Sequence, residues 1–159
     1  MLFRSTGREL SEQGFSNLVA LDGSAGMLEV AKQSGLYKEL YTVLLGQNAL
    51  PESLNGRFRA VASVGTLGRN HAPPESFDEM LACLKGDPGD ALIFTIREDC
   101  YKECGFKERL ESLQDDGTLK LVHQESYERG LHNEWFENNE LYEKPIPGIL
   151  FHLELKEPA

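Results

Sequence analysis

Polar and apolar residues alternate along the chain in blocks that switch between a helical and an extended period. Gly7 to Gln13 reads as the end of a helix closed by Gly14, because glycine takes the left-handed turn at a helix C-terminus without steric cost. Asn17 to Leu21 (N-L-V-A-L) is a short apolar run, the pattern of a strand buried on both faces. Ser24 then precedes Met27, Leu28 and Ala31, which recur at helical spacing, and a serine there can accept a bond from a free backbone N–H. Gly35 ends that helix. Leu36 to Leu45 holds a second strand, around Leu40 to Leu44, and the Asn55-Gly56 turn signal leads into a third, Phe58 to Val64. Phe77, Met80, Leu81 and Leu84 form one stripe of a helix from Glu75 to Leu84, placed after Pro73-Pro74. Asp87-Pro88-Gly89 turns the chain into a fourth strand, Ala91 to Ile96. Tyr101 to Gln114 reads as a helix stopped by Asp116-Gly117. Leu119 to Tyr127 and Ile149 to Leu155 are the last two strands, with no helix signal between them, so they are expected to pair as an antiparallel hairpin. Glu128 to Pro147 is long for a hairpin loop and is read either as a functional lid or as simply disordered, with Trp135 and Phe136 capping a substrate or latching onto the sheet.

Strands joined by helical crossovers predict an α/β fold, a doubly wound and mostly parallel sheet with a C-terminal antiparallel strand pair. A chain of 159 residues fits one domain, 1–159. Apolar residues make up 40% and charged residues 26%, which argues against a wholly disordered chain. A net charge of −10 repels phosphate backbones and anionic lipid, so neither nucleic acid nor a membrane surface is the expected partner. No run approaches the ~18 apolar residues that span a bilayer, and Met1 to Gly7 is too short and polar for a signal peptide. Cys83, Cys100 and Cys104 are odd in number and contain no C-x-x-C pair, and His123, His132 and His152 lack ligand spacing, so no metal site is expected. Three thiols without a disulfide framework make the cytoplasm the default compartment, with the nucleus left open.

Candidate chemistry enters with Leu21-Asp22-Gly23-Ser24-Ala25-Gly26-Met27-Leu28-Glu29-Val30-Ala31-Lys32. This stretch resembles the D-x-S-x-x-M-L-x-x-A segment of class I S-adenosylmethionine-dependent methyltransferases. Arg59 to Leu67 (R-A-V-A-S-V-G-T-L) is similar to the fourth strand of that family. Gly46-Gln47-Asn48-Ala49-Leu50-Pro51 stands where the family has a G-D-A-x-x-L-P-like segment, and Asp87 to Leu92 resembles its K-P-G-G turn. Within the class, Gly14 to Asn17, Gly35-Leu36-Tyr37, Leu45-Gly46-Gln47, Ser63 to Leu67 and Pro147-Gly148-Ile149 resemble the methyltransferase-like protein 27 family.

The resemblance implies a Rossmann-like fold, S-adenosylmethionine as cofactor with S-adenosylhomocysteine as product, and a small molecule or protein as methyl acceptor. It implies that Asp22 holds the ribose hydroxyls, since a carboxylate's two acceptor oxygens match the two donors of a diol. It also assigns Gly23, Met27, Gln47, Asn48, Gly65 and Gly7 to the cofactor. Plainer roles stand beside each: a helix N-terminal acid for Asp22, core filler for Met27, an ordinary turn for Gln47 and Asn48, a close-packing glycine for Gly65. His71 is a weak candidate for moving a substrate proton, beside the reading of a surface loop histidine.

The chain departs from the pattern at its start. Only Ser5-Thr6-Gly7 can be a remnant of the glycine-rich cofactor loop, and no strand precedes it. The chain therefore reads as missing the first strand, incomplete at the N-terminus. In the family that strand lies between those matching Asn17–Leu21 and Phe58–Val64, so two apolar edges are expected to lack their partner. Three remedies are open: the two strands pair directly, Met1 to Arg4 patch the gap, or a second chain covers it. Gly46 is a further departure, standing where many relatives carry an acid for the adenine amine. The two functional expectations are methyl transfer and, as the alternative, an inactive shortened protein that acts by binding.

Overall fold

The computed structural model describes residues 2–129 and 146–157. The chain divides into two compact units, Met1–Glu52 and Ser53–Ala159.

The first unit is built from α1 (Leu2–Glu12), β1 (Leu18–Asp22), α2 (Ala25–Gln33) and β2 (Tyr37–Thr42). β1 and β2 are parallel, in a register that pairs Asp22 with Thr42 at their carboxyl ends. The crossover between them is α2, which begins where expected: Ser24 has extended backbone angles and its hydroxyl accepts from Met27 N–H. Leu28 and Ala31 turn inward from α2 and Ala20 from β1, all buried. Gly14 closes α1 with φ +93, as its place after a helical run implied.

The second unit holds β3 (Ala60–Ser63), α3 (Ser76–Ala82), β4 (Ala91–Arg97), α4 (Glu98–Glu103), α5 (Phe106–Asp115), β5 (Leu119–Arg129) and β6 (Ile146–Leu155). Its sheet order is β3-β4-β6-β5. β3 and β4 are parallel, and β6 runs antiparallel to both β4 and β5. The expected α/β class and terminal antiparallel pair are both present. Alternation along β4 buries Leu92, Phe94 and Ile96 on one face. There Phe94 stacks on Phe151 at 5.0 Å between ring centroids, while Phe77 of α3 meets Phe94 at 5.0 Å and Phe106 at 6.0 Å. Four fully buried phenylalanines drawn from two helices and two strands thus tie the layers together, at roughly 1.5–3 kcal/mol each.

Several boundaries differ from the sequence reading. The second strand sits at Tyr37–Thr42, earlier than the apolar run Leu40 to Leu44 suggested, because Lys38 and Glu39 are tolerated on a strand that is only half-buried. The single helix expected over Tyr101 to Gln114 is two helices, α4 and α5, separated at Gly105, whose φ of +82 breaks the helical run. Leu2 to Arg4 belong to α1, so the idea that Met1 to Arg4 patch a strand gap is overturned for those residues. Among the described residues β1 has a single strand neighbour, β2, in the first unit, and β3 a single one, β4, in the second. Trp135, Phe136 and most of the long loop from Glu128 to Pro147 lie outside the described residues, as does His132.

Candidate functional site

Ligands of open α/β sheets bind beyond the carboxyl ends of the strands, where loops leave backbone groups and side chains free. In the first unit that end is formed by Asp22–Ser24 after β1 and by 43–48 after β2. The two turns are laced together: Val43 N–H donates to the Asp22 carbonyl over 3.1 Å. Asp22 is half-buried, and its Oδ1 accepts the Ser24 N–H over 2.7 Å. Its Oδ2 makes no hydrogen bond among the described residues. One oxygen is thus used to orient the carboxylate, and the other is presented for a donor.

Gly23 lies so close to Leu44 that a Cβ added there would stand 2.6 Å from Leu44 Cδ1. The glycine lets the two turns touch. Leu44 itself is 42% exposed, an apolar surface beside Asp22-Gly23 that the sequence did not single out, since it ends an apolar run and looks like strand core. Met27 is half-buried in the first turn of α2. Gln47 and Asn48 form the turn after β2, with both N–H groups donating to the Leu44 carbonyl. Asn48 Oδ1 accepts Leu44 N–H at 3.3 Å, so this amide oxygen is spent on the turn. Gly7 lies within α1, where an added Cβ would run into the Tyr37 ring, so its missing side chain serves helix-to-strand packing rather than a loop. Burial against α1 raises the Tyr37 phenol above its ordinary value.

In the second unit, Gly65 stands just beyond the carboxyl end of β3 with φ +70, and its N–H donates to Thr95 Oγ1 of β4 at 3.3 Å. His71 is exposed in the turn that follows, its N–H bonded to the Gly68 carbonyl. Among the described residues no group of three or more His, Cys, Asp or Glu is placed to hold a metal ion. Cys83, Cys100 and Cys104 are free thiols. No helix among the described residues is long and apolar enough to cross a membrane.

The α/β fold of this chain is shared with several solved structures. An S-adenosylmethionine-dependent methyltransferase from Mesorhizobium loti superposes with a TM-score of 0.60 at 17% identity, over 96% of this chain and 86% of that one. A second such methyltransferase, from Methanosarcina mazei, gives 0.60 at 14% identity, over 94% and 87%. A branched-chain polyamine synthase mutein from Thermus thermophilus, in complex with N4-aminopropylspermidine and 5′-methylthioadenosine, gives 0.62 at 18% identity, over 87% and 44%. By sequence the chain is 38% identical over 107 residues to human methyltransferase-like protein 27, a match covering 67% of this chain and 42% of that protein. The chain thus spans less than half the length of that relative. No family model matches it. Fold and sequence together identify the chain as a relative of class I S-adenosylmethionine-dependent methyltransferases.

Proposed function

We propose that the chain binds S-adenosylmethionine through the Asp22 turn and serves in methyl transfer to a small molecule or protein. The observation that carries this is the Asp22 carboxylate, oriented through Oδ1 by the Ser24 N–H and left with Oδ2 to accept from a vicinal diol. Exposed Leu44 beside it offers an apolar surface for a flat base, and Met27 adds to the same end of the unit as a further candidate. These residues fit an adenosine moiety. Gln47 remains a candidate for the base edge, whereas Asn48 would have to give up its bond to Leu44 N–H. Gly65 is kept as a candidate on the strength of the resemblance alone, and Gly7 is the weakest assignment because it sits inside a helix.

The bound sulfonium supplies an electrophilic methyl group. What the protein's own residues do is hold the diol and shield the base from water, since such a displacement depends mainly on alignment. A missing general base is no obstacle, and His71, exposed on its turn, is kept only as a weak candidate for a substrate proton. The ribose diol is also present in 5′-methylthioadenosine, the ligand named for the Thermus neighbour, so Asp22 alone does not choose between methyl and aminopropyl donors. The three free thiols suit a reducing compartment such as the cytoplasm.

A second reading rests on two strand edges: among the described residues β1 and β3 each have one strand neighbour, and an open edge favours pairing with another chain. In that reading the chain is an inactive interaction module, or self-associates through these edges. Isothermal titration with S-adenosylhomocysteine separates the two. Binding that is lost in Asp22→Ala supports the cofactor reading, and no heat from a folded wild-type chain at millimolar ligand supports the module.

A further inference from the structure

The Asn55-Gly56 turn is docked on the end of α3. Gly56 N–H donates to the Ala82 carbonyl over 2.8 Å, and the Arg57 and Phe58 N–H groups both donate to the Cys83 carbonyl, at 3.0 and 2.9 Å. The last carbonyls of a helix have no partner within it, so these three donors close the C-terminus of α3 from a distant part of the chain. Lys85 N–H returns a bond to the Phe58 carbonyl at 2.9 Å, and Leu54, just before the turn, is buried. Gly56 has φ +62, a conformation that suits a residue without a side chain.

This turn is also the one place in the chain where a glycine follows an asparagine. Both residues are exposed. In that dipeptide no β-carbon crowds the glycine nitrogen as it approaches the asparagine amide carbon, and a Cβ built on Gly56 finds nothing within 4 Å. What stands in the way is the bond to Ala82. A nitrogen whose hydrogen is held by another carbonyl is free neither to lose that proton nor to turn. Release of such a turn is a local opening, which a folded domain undergoes far more often than it unfolds as a whole.

We propose that Asn55 is a deamidation site gated by the docking of its turn on α3. When the turn lets go, the Gly56 nitrogen gives up its proton to hydroxide and attacks Asn55 Cγ. The new N–C bond closes a succinimide ring, the bond from Cγ to the side-chain nitrogen breaks, and ammonia leaves with a proton from water. Water then opens the ring at either carbonyl, leaving aspartate or isoaspartate. One amide and one water become one carboxylic acid and one ammonia. Both products put a negative charge next to the C-terminus of α3, the negative end of the helix dipole. Isoaspartate also adds a methylene to the main chain just ahead of the Gly56 N–H. Re-docking is therefore weaker, and a modified chain opens here more readily.

The full wild-type chain is kept in mildly alkaline buffer, folded or unfolded in guanidinium chloride, and sampled by mass spectrometry of tryptic peptides. Asn48 and Asn55 share the peptide 39–57, where fragment ions assign the change, and Asn70 falls in 70–85. The expected result is that Asn55 converts first in the unfolded chain and that folding slows its conversion several-fold. Leu54→Ala, which loosens the buried anchor of the turn, should speed conversion several-fold in the folded chain and leave the unfolded rate unchanged. The converted chain, separated by ion exchange, should unfold at a lower guanidinium concentration. The proposal is overturned if Asn55 converts as fast folded as unfolded, if Asn48 or Asn70 leads in the unfolded chain, or if the converted chain keeps the wild-type midpoint. The wild-type comparison alone decides the matter should Leu54→Ala fail to fold.

Discussion

Ser24 N–H donates to Asp22 Oδ1 over 2.7 Å, while the Ser24 hydroxyl accepts from Met27 N–H at 3.3 Å. One residue therefore orients the carboxylate with its backbone and starts α2 with its side chain. Ser24→Ala removes only the second role. Loss of such a cap costs about 1 kcal/mol of stability, read from the urea midpoint. Affinity for S-adenosylhomocysteine should stay within about twofold, because the main-chain donor to Asp22 survives. A large loss of affinity at unchanged stability would show that the hydroxyl itself meets the ligand.

Asp90 is fully buried at the entry to β4, with Arg59 Nε 2.6 Å from its Oδ1 and Asp87 N–H on its Oδ2 at 3.1 Å. The Arg59 contact is an ion pair whose N–H is not aimed well enough for a full hydrogen bond. Arg59 is itself mostly exposed, so solvent screens part of the attraction. Arg59→Met should still destabilise by about 1–3 kcal/mol, because a buried charge loses its counter-charge. Denaturant melts check this, and a change below about 0.5 kcal/mol would mean that the Asp87 N–H suffices.

Asp99, in the first turn of α4, has two partners: Arg97 at 2.6 Å and Cys100 N–H at 2.8 Å. The Arg97 bond first, with the backbone amide, holds its carboxyl below the usual aspartate range. A depressed carboxyl adds stability that is complete above about pH 4 and fades as the pH falls through the folded value. Arg97→Gln should move the Asp99 titration upward, followed by carboxyl carbon NMR. An unmoved titration would leave the backbone amide as the sole cause.

Gly105 separates α4 from α5 with φ +82, and a Cβ there would meet Pro74 only at an ordinary 3.5 Å. The cost of Gly105→Ala is therefore conformational, about 1–2 kcal/mol, with Gly105→Asn milder. Thermal unfolding measures it. An unchanged melting temperature would mean that the two helices tolerate fusion.

The β1–α2 junction was legible because its signals are local: an apolar run, an acid, a cap, then helical spacing, all within Leu18 to Ala31. The terminal hairpin was legible for the opposite reason, the absence of any helix signal between two strand patterns. Gly105 was overlooked because Phe106, Leu110 and Leu113 continue an apolar stripe past it, and only the positive φ reveals the break. Leu44 was missed since an exposed leucine and a buried one look alike in sequence. Whether β1 and β3 would pair was unreadable, because strand neighbours far apart in the chain are fixed by tertiary packing. Among the cofactor candidates, the Asp22 turn was read from a motif with a physical rationale, whereas Gly7 was assigned by position alone and sits in a helix.

Backbone amide shifts of the ¹⁵N-labelled chain, followed during titration with S-adenosylhomocysteine, test the central claim most directly. The account predicts saturable changes clustered at Asp22, Gly23, Ser24, Leu44 and Gln47, and their disappearance in Asp22→Ala. A folded spectrum unmoved by millimolar ligand, or saturable changes that spare Asp22 to Ser24, would contradict it.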